Sequence, residues 1–285
     1  MKTRTIGNRT VSALGLGEMP MSVTGRPDEE RSLRTIHQAL ELGITFIDTA
    51  DAYCLNEDEK GHGERLVAKA LATYGGDTSD VLVATKGGSQ RPDGRWEHDG
   101  SPAYIRRACE ASLRALGVDA IGLYQHHRPD PKVPYADTIG TFKELHDEGK
   151  VELVGISNTN VDQIAEAGKI LGSALVSVQN QYGPDFRSSE GELRFCADAG
   201  ISFLPWHPLG GISNAGDLGS AHAAFGEVAK ARGVSPQQVA LAWELAKSPV
   251  VIPIPGSSRP ETIADSARAA DLELTDDELA RLDAV

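Results

Sequence analysis

The amino-acid sequence predicts an α/β protein, a (β/α)8 TIM barrel with an N-terminal β-hairpin and accessory helices. Strand-like and helix-like segments alternate from end to end and make eight strand–helix units. The strand segments are nearly continuous apolar runs, which is typical of parallel strands covered by helices. No GxGxxG segment follows a strand and opens a helix, which argues against an open doubly wound sheet.

The predicted elements follow one another without a linker or low-complexity segment, so residues 1–285 are expected to form one domain. The barrel strands are predicted near residues 12–16, 44–48, 81–86, 121–126, 152–156, 175–179, 201–206 and 250–254. The helices that follow them are predicted near residues 28–42, 63–74, 102–116, 136–148, 161–171, 189–199, 236–247 and 260–269. A further helix is predicted at 221–232 and a short one after Thr275.

Several junctions between these elements repeat one design, a helix tail, a glycine and a short apolar run. ALELG leads into ITFIDTA, HDEGK into VELVGIS, and CADAG into ISFLPW. The glycine is expected to take the left-handed conformation that ends a helix. Two helix starts are also marked, because Ser235 and Pro236 suit the N-cap and first-turn positions and the TDDE run from Thr275 matches a capping box.

Composition and charge limit the classes of partner. Hydrophobic residues make up 40% of the chain and charged residues 24%, so it can bury an ordinary core. A net charge of −13 argues against nucleic acid or an anionic membrane as partner. The three cysteines (Cys54, Cys109 and Cys196) offer no disulfide framework or zinc pattern. The N-terminus lacks a signal-peptide core and no apolar run approaches the ~20 residues that span a bilayer, so we expect a cytoplasmic protein.

Three side chains near the ends of the second and third predicted strands suggest acid–base chemistry. GITFIDTADAY ends a strand in Asp48, Tyr53 follows five residues later, and VLVATKGG ends the next strand in Lys86. Strand ends of this kind meet at one face of a barrel, and a buried lysine needs a partner such as Asp48. With that counter-ion, Lys86 is expected to stay protonated, to lower the pKa of Tyr53 and so to make it a general acid. An Asx-turn at Asp48 and a lysine that reaches solvent remain the structural alternatives.

The segment IGLYQHHRPDP places two histidines, His126 and His127, at the end of the fourth strand. Adjacent residues of a strand face opposite ways, so only one of them can point into the site. No HxH or HExxH pattern accompanies them, and we expect no metal.

Later strand ends carry groups that could hold a polar ligand. Ser157, Asn158 and Gln179 can pair with a carboxamide, although turn chemistry is an equally ordinary role for the first two. Trp206 lies between prolines in FLPWHPLGG, where a planar ring can be stacked. The segment IPIPGSSRP ends the last strand with small residues and Arg259 before a helix, a plausible but nonspecific phosphate site.

These motifs, in this order, resemble those of the aldo-keto reductase family over essentially the whole chain. The matching segments are IDTADAY, VATKGG, LYQHHRPDP, GISN, VQNQY, LPWHPLGG and PIPGSSRPE. The resemblance implies a (β/α)8 barrel that binds extended NADP(H) without a Rossmann fold. It also implies a catalytic tetrad of Asp48, Tyr53, Lys86 and His127, since the family's histidine directly precedes the R-P-D segment.

The resemblance further implies which residues bind the cofactor. Ser157, Asn158 and Gln179 would hold the nicotinamide carboxamide, and Trp206 would stack on its ring. The remaining implied cofactor residues are Gly17, Met19, Pro208, Leu209, Gly210, Gly211, Pro255, Gly256, Ser257, Ser258 and Arg259. Of these, Leu209 to Gly211 would lie under the pyrophosphate, and the segment from Gly256 to Arg259 would receive the adenosine 2′-phosphate.

Four positions depart from the family's pattern. Cys54 stands where most members have glycine and leads into the acidic LNEDEKGHGE loop, for which a solvated surface role is favoured over weak repulsion of anionic substrates. Glu18 replaces a small or uncharged residue near the cofactor's ribose. Ser266 and Thr262 replace an adenine-contacting asparagine and a basic residue, which leaves Arg259 as the chief partner of a 2′-phosphate. NADPH is therefore expected as cofactor, with NADH less favoured.

The predicted function is the NADPH-dependent reduction of a small-molecule aldehyde or ketone to an alcohol. The loops after the first, second and fourth strands and the 208–220 segment are expected to select the substrate. Alternatives are the reverse, alcohol-oxidising direction, a specific substrate such as a keto-sugar or pyridoxal, and a nicotinamide-binding regulatory subunit with little turnover. A barrel hydrolase that uses Asp48 and a histidine is a more distant alternative. The sequence does not predict an oligomeric state.

Overall fold

Parallel strands form the wall of a barrel in this computed structural model, which describes residues 1–211 and 214–284. The strands are β1 Thr3–Ile6, β2 Arg9–Ser12, β3 Leu16–Gly17, β4 Phe46–Asp48, β5 Leu82–Gly87, β6 Ser89–Gln90, β7 Glu97–His98, β8 Ile121–His126, β9 Val151–Ser157, β10 Leu175–Gln179 and β11 Ser202–Phe203. Seven of them form one parallel sheet in the order β11-β10-β9-β8-β5-β4-β3. All these strands therefore end at the same face of the molecule.

The segment 250–256 closes the barrel between the two edges of this sheet. On one side the N–H of Ile252 donates to the carbonyl of Phe203 at 2.9 Å. On the other side the N–H groups of Gly15 and Gly17 donate to the carbonyls of Pro253 and Pro255 at 2.9 and 3.0 Å. Prolines have no N–H, so they can join a ladder only as acceptors, which is the role they have here. The predicted (β/α)8 barrel is confirmed, with this segment as its eighth strand.

The predicted N-terminal hairpin covers the opposite end of the barrel. β1 and β2 pair antiparallel, and Ile6 and Val11 pack into the barrel interior beside Phe46. Gly7 has φ +57°, and a Cβ there would lie 2.8 Å from Val176 Cγ1, so the turn fits closely onto the barrel. The predicted strand at 12–16 is wrong as one strand, because Ser12 ends the hairpin and Leu16 begins the barrel wall.

Helices surround the sheet and bury their apolar faces against it. They are α1 Glu29–Glu41, α2 His62–Thr73, α3 Pro102–Leu116, α4 Tyr135–Asp147, α5 Val161–Leu171, α6 Glu190–Ala199, α7 Leu218–Ala221, α8 Ala223–Arg232, α9 Pro236–Lys247, α10 Pro260–Ala267 and α11 Asp276–Asp283. The helix predicted at 221–232 is confirmed as α8, which begins at Ala223 because His222 has non-helical backbone angles (φ −124°, ψ 84°) and separates it from the short α7. The larger core cluster lies between these helices and the strands.

The predicted helix ends are confirmed. Gly43, Gly149 and Gly200 follow α1, α4 and α6 with φ of 80°, 74° and 67°. The Ser235 hydroxyl accepts from the N–H of Gln238 at 3.1 Å at the start of α9. Thr275 caps α11 through a reciprocal capping box. These local stops set where each strand begins and so help to align the strand ends.

Across residues 1–211 and 214–284, none of the helices is long and apolar enough to cross a membrane.

Candidate active site

A cavity of about 930 Å³ opens at the carboxyl ends of the barrel strands. It is lined by most of the side chains that the sequence singled out. Those lining residues are Gly17, Met19, Asp48, Tyr53, His127, Ser157, Asn158, Gln179, Trp206, Pro208, Leu209, Gly211, Gly256, Ser257, Ser258 and Arg259. Lys86, Gly210 and Pro255 were also predicted but are not among the lining residues; Lys86 is fully buried beneath the cavity, and Pro255 belongs to the barrel wall.

Lys86 forms three polar contacts at the base of the cavity. Its Nζ donates to Asp48 Oδ1 at 2.5 Å, to the carbonyl of Thr49 at 2.9 Å and to the phenol oxygen of Tyr53 at 3.0 Å. Burial alone would lower the pKa of Lys86, but the neighbouring charge of Asp48 raises it above its ordinary value. The lysine is therefore a fixed cation directly beside the Tyr53 hydroxyl.

The second carboxylate oxygen of Asp48 is held by two amides. Gln125 Nε2 and Gln179 Nε2 donate to Oδ2 at 2.9 and 2.8 Å. Asp48 is 2% exposed, so its charge is satisfied by three donors instead of by water. This arrangement fixes the ion pair with Lys86 in one geometry.

Tyr53 departs from the prediction that its pKa would be lowered. Burial raises the pKa of Tyr53 above its ordinary value, although the charge of Lys86 acts in the opposite direction. The Tyr53 ring is 7% exposed, and the extent of its burial could not be read from the sequence. The hydroxyl is consequently protonated at neutral pH, with the Lys86 ammonium 3.0 Å away.

The two adjacent histidines face opposite ways, as strand alternation requires. His127 lines the cavity, and its ring lies 5.8 Å from that of Tyr53 in an edge-to-face arrangement. His126 is fully buried and packs against Tyr135 and Phe142 of α4. Burial and the charge of Lys86 lower the pKa of His127 well below its ordinary value, so the ring is neutral.

The three residues expected to hold a carboxamide lie together, but several of their donors already bond within the protein. The Ser157 hydroxyl donates to the carbonyl of Gln179 at 2.7 Å, and Asn158 Nδ2 contacts both the His127 carbonyl and the Ser157 hydroxyl. Asn158 Oδ1 accepts from Arg128 at 3.1 Å. Asn158 also has φ +58°, an unusual conformation for a side-chain-bearing residue. What this group offers a ligand is mainly acceptor oxygen.

Trp206 and the turn after it form one long side of the cavity. Trp206 Nε1 is buried and has no hydrogen-bond partner among the described residues. His207 and Gly211 have φ of 65° and 84°, and a Cβ on Gly211 would overlap Nε2 of His207. Only glycine allows the turn to pass so close to that ring. The predicted 208–220 segment contains residues 212–213, which lie outside the described residues.

The start of α10 and the residues just before it form one end of the cavity. Arg259 is exposed there and, within the described ranges, forms no ion pair. Ser257 is tied down, since its hydroxyl contacts Thr262 Oγ1 at 2.5 Å and the Arg259 carbonyl at 3.0 Å. Glu261 and Asp265 also line this end, and Asp265 accepts from Ser235 and Gln238 of the neighbouring loop and α9. The local charge is therefore mixed, with Arg259 as its cation.

Sequence reasoning missed an aromatic residue, Trp96, that lines the cavity. Trp96 is 45% exposed and lies in the loop between β6 and β7, with its ring 5.9 Å from His127 and 6.4 Å from Tyr53. The guanidinium of buried Arg91 lies 4.1 Å from the centre of the Trp96 ring and holds it in place. This loop follows the third barrel strand, which was absent from the predicted substrate loops. The segment RPDGRW, in which Arg91 and Trp96 flank a turn, could have indicated an arginine–tryptophan pair in this loop.

The acidic loop after Tyr53 does not line the cavity. Cys54 is fully buried, Glu57 accepts from the N–H of Arg91 at 2.7 Å, and Glu59 pairs with Arg26 at 2.8 Å. Its charges thus serve local structure, in keeping with the surface role favoured from the sequence. Glu18 also fails to line the cavity; it points into the core behind Asp48, so its expected position beside the ribose is wrong.

Comparison with known proteins agrees with this geometry. Residues 13–285 match the model of the Aldo/keto reductase family. The protein belongs to this family. An uncharacterized oxidoreductase of Schizosaccharomyces pombe is 36% identical to this aldo/keto reductase. The match covers 99% of the present chain and 89% of the relative. Pyridoxine 4-dehydrogenase of Escherichia coli is 31% identical, and the match covers 99% of the present chain and 98% of the relative.

Solved aldo/keto reductases share the whole fold. An enzyme from Klebsiella pneumoniae, crystallised with NADP and acetate, superposes with a TM-score of 0.83 at 26% identity over 99% of this chain and 94% of that one. Glycerol dehydrogenase from Gluconobacter oxydans superposes with a TM-score of 0.84 at 28% identity. The superposition covers 99% of the present chain and 94% of the dehydrogenase. The family is one of oxidoreductases that use a nicotinamide cofactor.

The cavity of this aldo/keto reductase fits such a cofactor. It runs from Tyr53 past Trp206 to Arg259, so it joins a proton donor, a planar aromatic surface and a cation along one groove. A β-bridge joins Gly17 and Gly256, which both line the cavity, and a Cβ on Gly17 would lie 2.8 Å from the Ile254 carbonyl. The buried indole N–H of Trp206, which no described residue pairs with, adds a donor that a bound ligand could satisfy.

Proposed function

We propose that this aldo/keto reductase reduces an aldehyde or ketone to an alcohol, with NADPH as reductant. One observation carries the proposal: Lys86 Nζ lies 3.0 Å from the phenol oxygen of Tyr53 and 2.5 Å from Asp48, at the base of an open cavity. A phenol beside a fixed cation can give up its proton to a substrate oxygen at lower cost than an isolated phenol. The bound cofactor would supply the hydride.

In this proposal each residue of the tetrad has one role. The Tyr53 hydroxyl donates its proton to the carbonyl oxygen, and Lys86 stabilises the phenolate left behind. Asp48 keeps Lys86 charged and in position. The neutral ring of His127 can donate one hydrogen bond to the carbonyl oxygen, which fixes the carbonyl beside Tyr53. The high pKa of Tyr53 suits this direction, because the residue must begin the reaction protonated.

The cofactor would lie along the groove with its nicotinamide against Trp206 and its 2′-phosphate at Arg259. Gln179 Oε1 and Asn158 Oδ1 are suited to accept from the carboxamide NH2. The exposed guanidinium of Arg259 supports NADPH, and the solved relative with bound NADP supports the same class of cofactor. Glu261 and Asp265 at this end would limit the discrimination against NADH.

On the substrate side, Trp96 and His127 would enclose the group attached to the carbonyl. An exposed indole face favours a planar or apolar substituent over a small polar one. The relative named pyridoxine 4-dehydrogenase is consistent with a ring-bearing substrate. We therefore expect aromatic aldehydes to be better substrates than short aliphatic ones.

The test is a stopped-flow screen of NADPH oxidation by the wild-type protein against aromatic, aliphatic and sugar carbonyls. Turnover of at least one class, with NADPH binding followed by fluorescence quenching, would support the proposal. Tight NADPH binding with no oxidation by any carbonyl would contradict it and favour a regulatory subunit. Absence of nicotinamide binding would favour a hydrolase.

A further inference from the structure

Glu18 lies between two residues that line the cavity, yet its side chain turns away into the core. It is fully buried behind the turn that follows β4. Its N–H donates to the carbonyl of Asp48 at 2.9 Å, and its Oε2 accepts from the Thr49 hydroxyl at 2.9 Å. Asp48 and Thr49 supply two acceptors of Lys86, one from a carboxylate and one from a carbonyl. Glu18 thus holds both residues that position the lysine.

The surroundings of Glu18 are built to accommodate a carboxyl group. A Cβ on Gly63 of α2 would overlap Oε2 of Glu18 and lie 2.6 Å from the Thr49 hydroxyl oxygen. The second oxygen, Oε1, accepts from the Ser22 hydroxyl. Since any side chain at position 63 would exclude this arrangement, helix α2 is shaped around the carboxyl.

A chain of hydrogen bonds connects this carboxyl to the surface. Ser22 Oγ contacts both Glu18 Oε1 and Nδ1 of His62, the latter at 2.8 Å, and His62 is partly exposed at the start of α2. One hydroxyl has one proton, so the direction of the chain depends on the charge of Glu18. When Glu18 is ionised, His62 Nδ1–H donates to Ser22, which donates to Glu18. When Glu18 is protonated, it donates to Ser22, which donates to the unprotonated Nδ1 of His62.

Proton exchange along this chain is balanced at each atom. A proton taken up from water at His62 Nε2 is matched by transfer of the Nδ1 proton to Ser22 and of the Ser22 proton to Glu18 Oε1. Loss of the proton follows the same steps in reverse. No bond other than O–H and N–H bonds changes. Glu18 can therefore equilibrate with solvent although it is completely buried.

We propose that Glu18 is a positioning residue for the proton donor, and that its protonation, exchanged through Ser22 and His62, sets how strong an acid Tyr53 is. This inference rests on the proposed carbonyl reduction.

The charges around Glu18 determine the direction of the effect. Burial raises the pKa of Glu18 to about 7, although hydrogen bonds from Ser22 and Thr49 act the other way. The charged groups facing it are Lys86 of β5, which favours ionisation, and Asp48 of β4, which opposes it. On the α2 side, titratable His62 is flanked by the Arg26–Glu59 ion pair and by Arg65 and Glu29.

Ionised Glu18 raises the pKa of Tyr53, because it adds negative charge near the incipient phenolate. Tyr53 is therefore a stronger acid when Glu18 is neutral, below about pH 7. Carbonyl reduction should accordingly slow as the pH rises through this value.

The experiment is a single-turnover measurement of NADPH oxidation, with the aldehyde in excess, between pH 5.5 and 9. For the wild type we expect the rate to fall about fivefold through pH 7, a size set by one charge near a partly screened site. Glu18→Gln should lose this step and keep a nearly constant rate. Glu64→Gln removes another buried carboxyl, one that bonds to Thr85, and should keep the step.

A second variant tests the direction of the effect and covers the case in which Glu18→Gln does not fold. Ser22→Ala removes a donor to the Glu18 carboxylate, so the step should move to higher pH. The proposal would be overturned if the rate of Glu18→Gln still fell through pH 7 as in the wild type. It would also be overturned if the fall in rate of Ser22→Ala stayed at the same pH or moved to lower pH.

A stability measurement separates this inference from the proposed function. The wild type should lose stability relative to Glu18→Gln between about pH 5 and 7, and the difference should be constant above pH 8, because the folded state holds a proton that the unfolded chain releases. If no carbonyl is reduced at any pH, the proposed function fails. If the difference in free energy of unfolding between the wild type and Glu18→Gln does not change with pH, Glu18 does not titrate in this range and the inference is overturned.

Discussion

The ammonium nitrogen of Lys86 lies 3.0 Å from the phenol oxygen of Tyr53 and 4.7 Å from the centre of its ring. In the proposed reaction the lysine would stabilise the phenolate both by a hydrogen bond and by its charge next to the aromatic ring. Asp48 and the Thr49 carbonyl also bind the Lys86 ammonium, and the ion pair with Asp48 is buried. The consequences can be measured at each member of this group.

Lys86→Met should lower the single-turnover rate of carbonyl reduction by about 10²- to 10⁴-fold, because the phenolate loses its cation. It should also lower the free energy of unfolding by about 3–5 kcal/mol, since Asp48 is left buried without its counter-ion. The double variant Lys86→Met/Asp48→Asn should recover most of the stability in urea unfolding and none of the rate. Recovery of the rate as well would show that the ion pair is structural only.

Arg259→Ala should raise the Kd for NADPH by about 10- to 100-fold, because a charge-assisted contact to the 2′-phosphate is lost. The Kd for NADH should change less than about twofold, since NADH lacks this phosphate. Fluorescence titration measures both. Arg268→Ala, an exposed arginine at the other end of the same helix, is the matched control. An equal increase in the Kd for NADPH and for NADH would show that Arg259 does not bind the 2′-phosphate.

Trp96→Ala should raise the KM for benzaldehyde by about three- to tenfold, the size expected for one aromatic contact. The KM for propanal should stay within about twofold, because it has no ring to stack. Trp96→Phe keeps an aromatic face and should retain most of the affinity for benzaldehyde. Equal changes for both aldehydes would mean that Trp96 shapes the entrance without contacting the substrate ring.

Glu244 lies fully buried on α9, and neither carboxyl oxygen has a hydrogen-bond partner among the described residues. Burial, with a smaller contribution from the charge of Asp185, raises its pKa well above the ordinary value of 4.5. The folded protein therefore keeps a proton that the unfolded chain releases above this pH, so stability falls as the pH rises.

Glu244→Gln should remove this loss. Its advantage over the wild type in urea unfolding should grow with pH above about 5, by up to ~1.4 kcal/mol per pH unit. Glu227→Gln, at an exposed position of α8, should show no such trend. An advantage that is independent of pH would mean that Glu244 is ionised in the folded protein.

Much of the barrel was predictable because it depends on local chemistry. Glycines that end helices, the Ser235–Pro236 start and the capping box at Thr275 are encoded within a few residues. Strand alternation likewise predicted that only one of His126 and His127 faces the cavity, and the resemblance to the aldo-keto reductase family selected His127. The proline-containing strand 250–254 was found from its apolar pattern, although it closes the barrel through N–H groups on one side and proline carbonyls on the other.

The features that were missed depend on how distant segments pack. The pKa of Tyr53 moved in the unexpected direction because burial outweighs the charge of Lys86, and neither magnitude is written in a motif. Trp96 reaches the cavity only because β6 and β7 fold its loop back over the third strand end. Glu18 points into the core, where Ser22 and Thr49 bind its carboxyl, although its neighbours on both sides line the cavity.

The most direct test of the central assignment is Tyr53→Phe, with Tyr74→Phe outside the cavity as control. The single-turnover rate of aldehyde reduction should fall by about 10²- to 10⁴-fold while the Kd for NADPH stays within about twofold, because only the proton donor is removed. Tyr74→Phe should match the wild type in both. Undiminished reduction by Tyr53→Phe would contradict the assignment of Tyr53 as the residue that protonates the carbonyl oxygen.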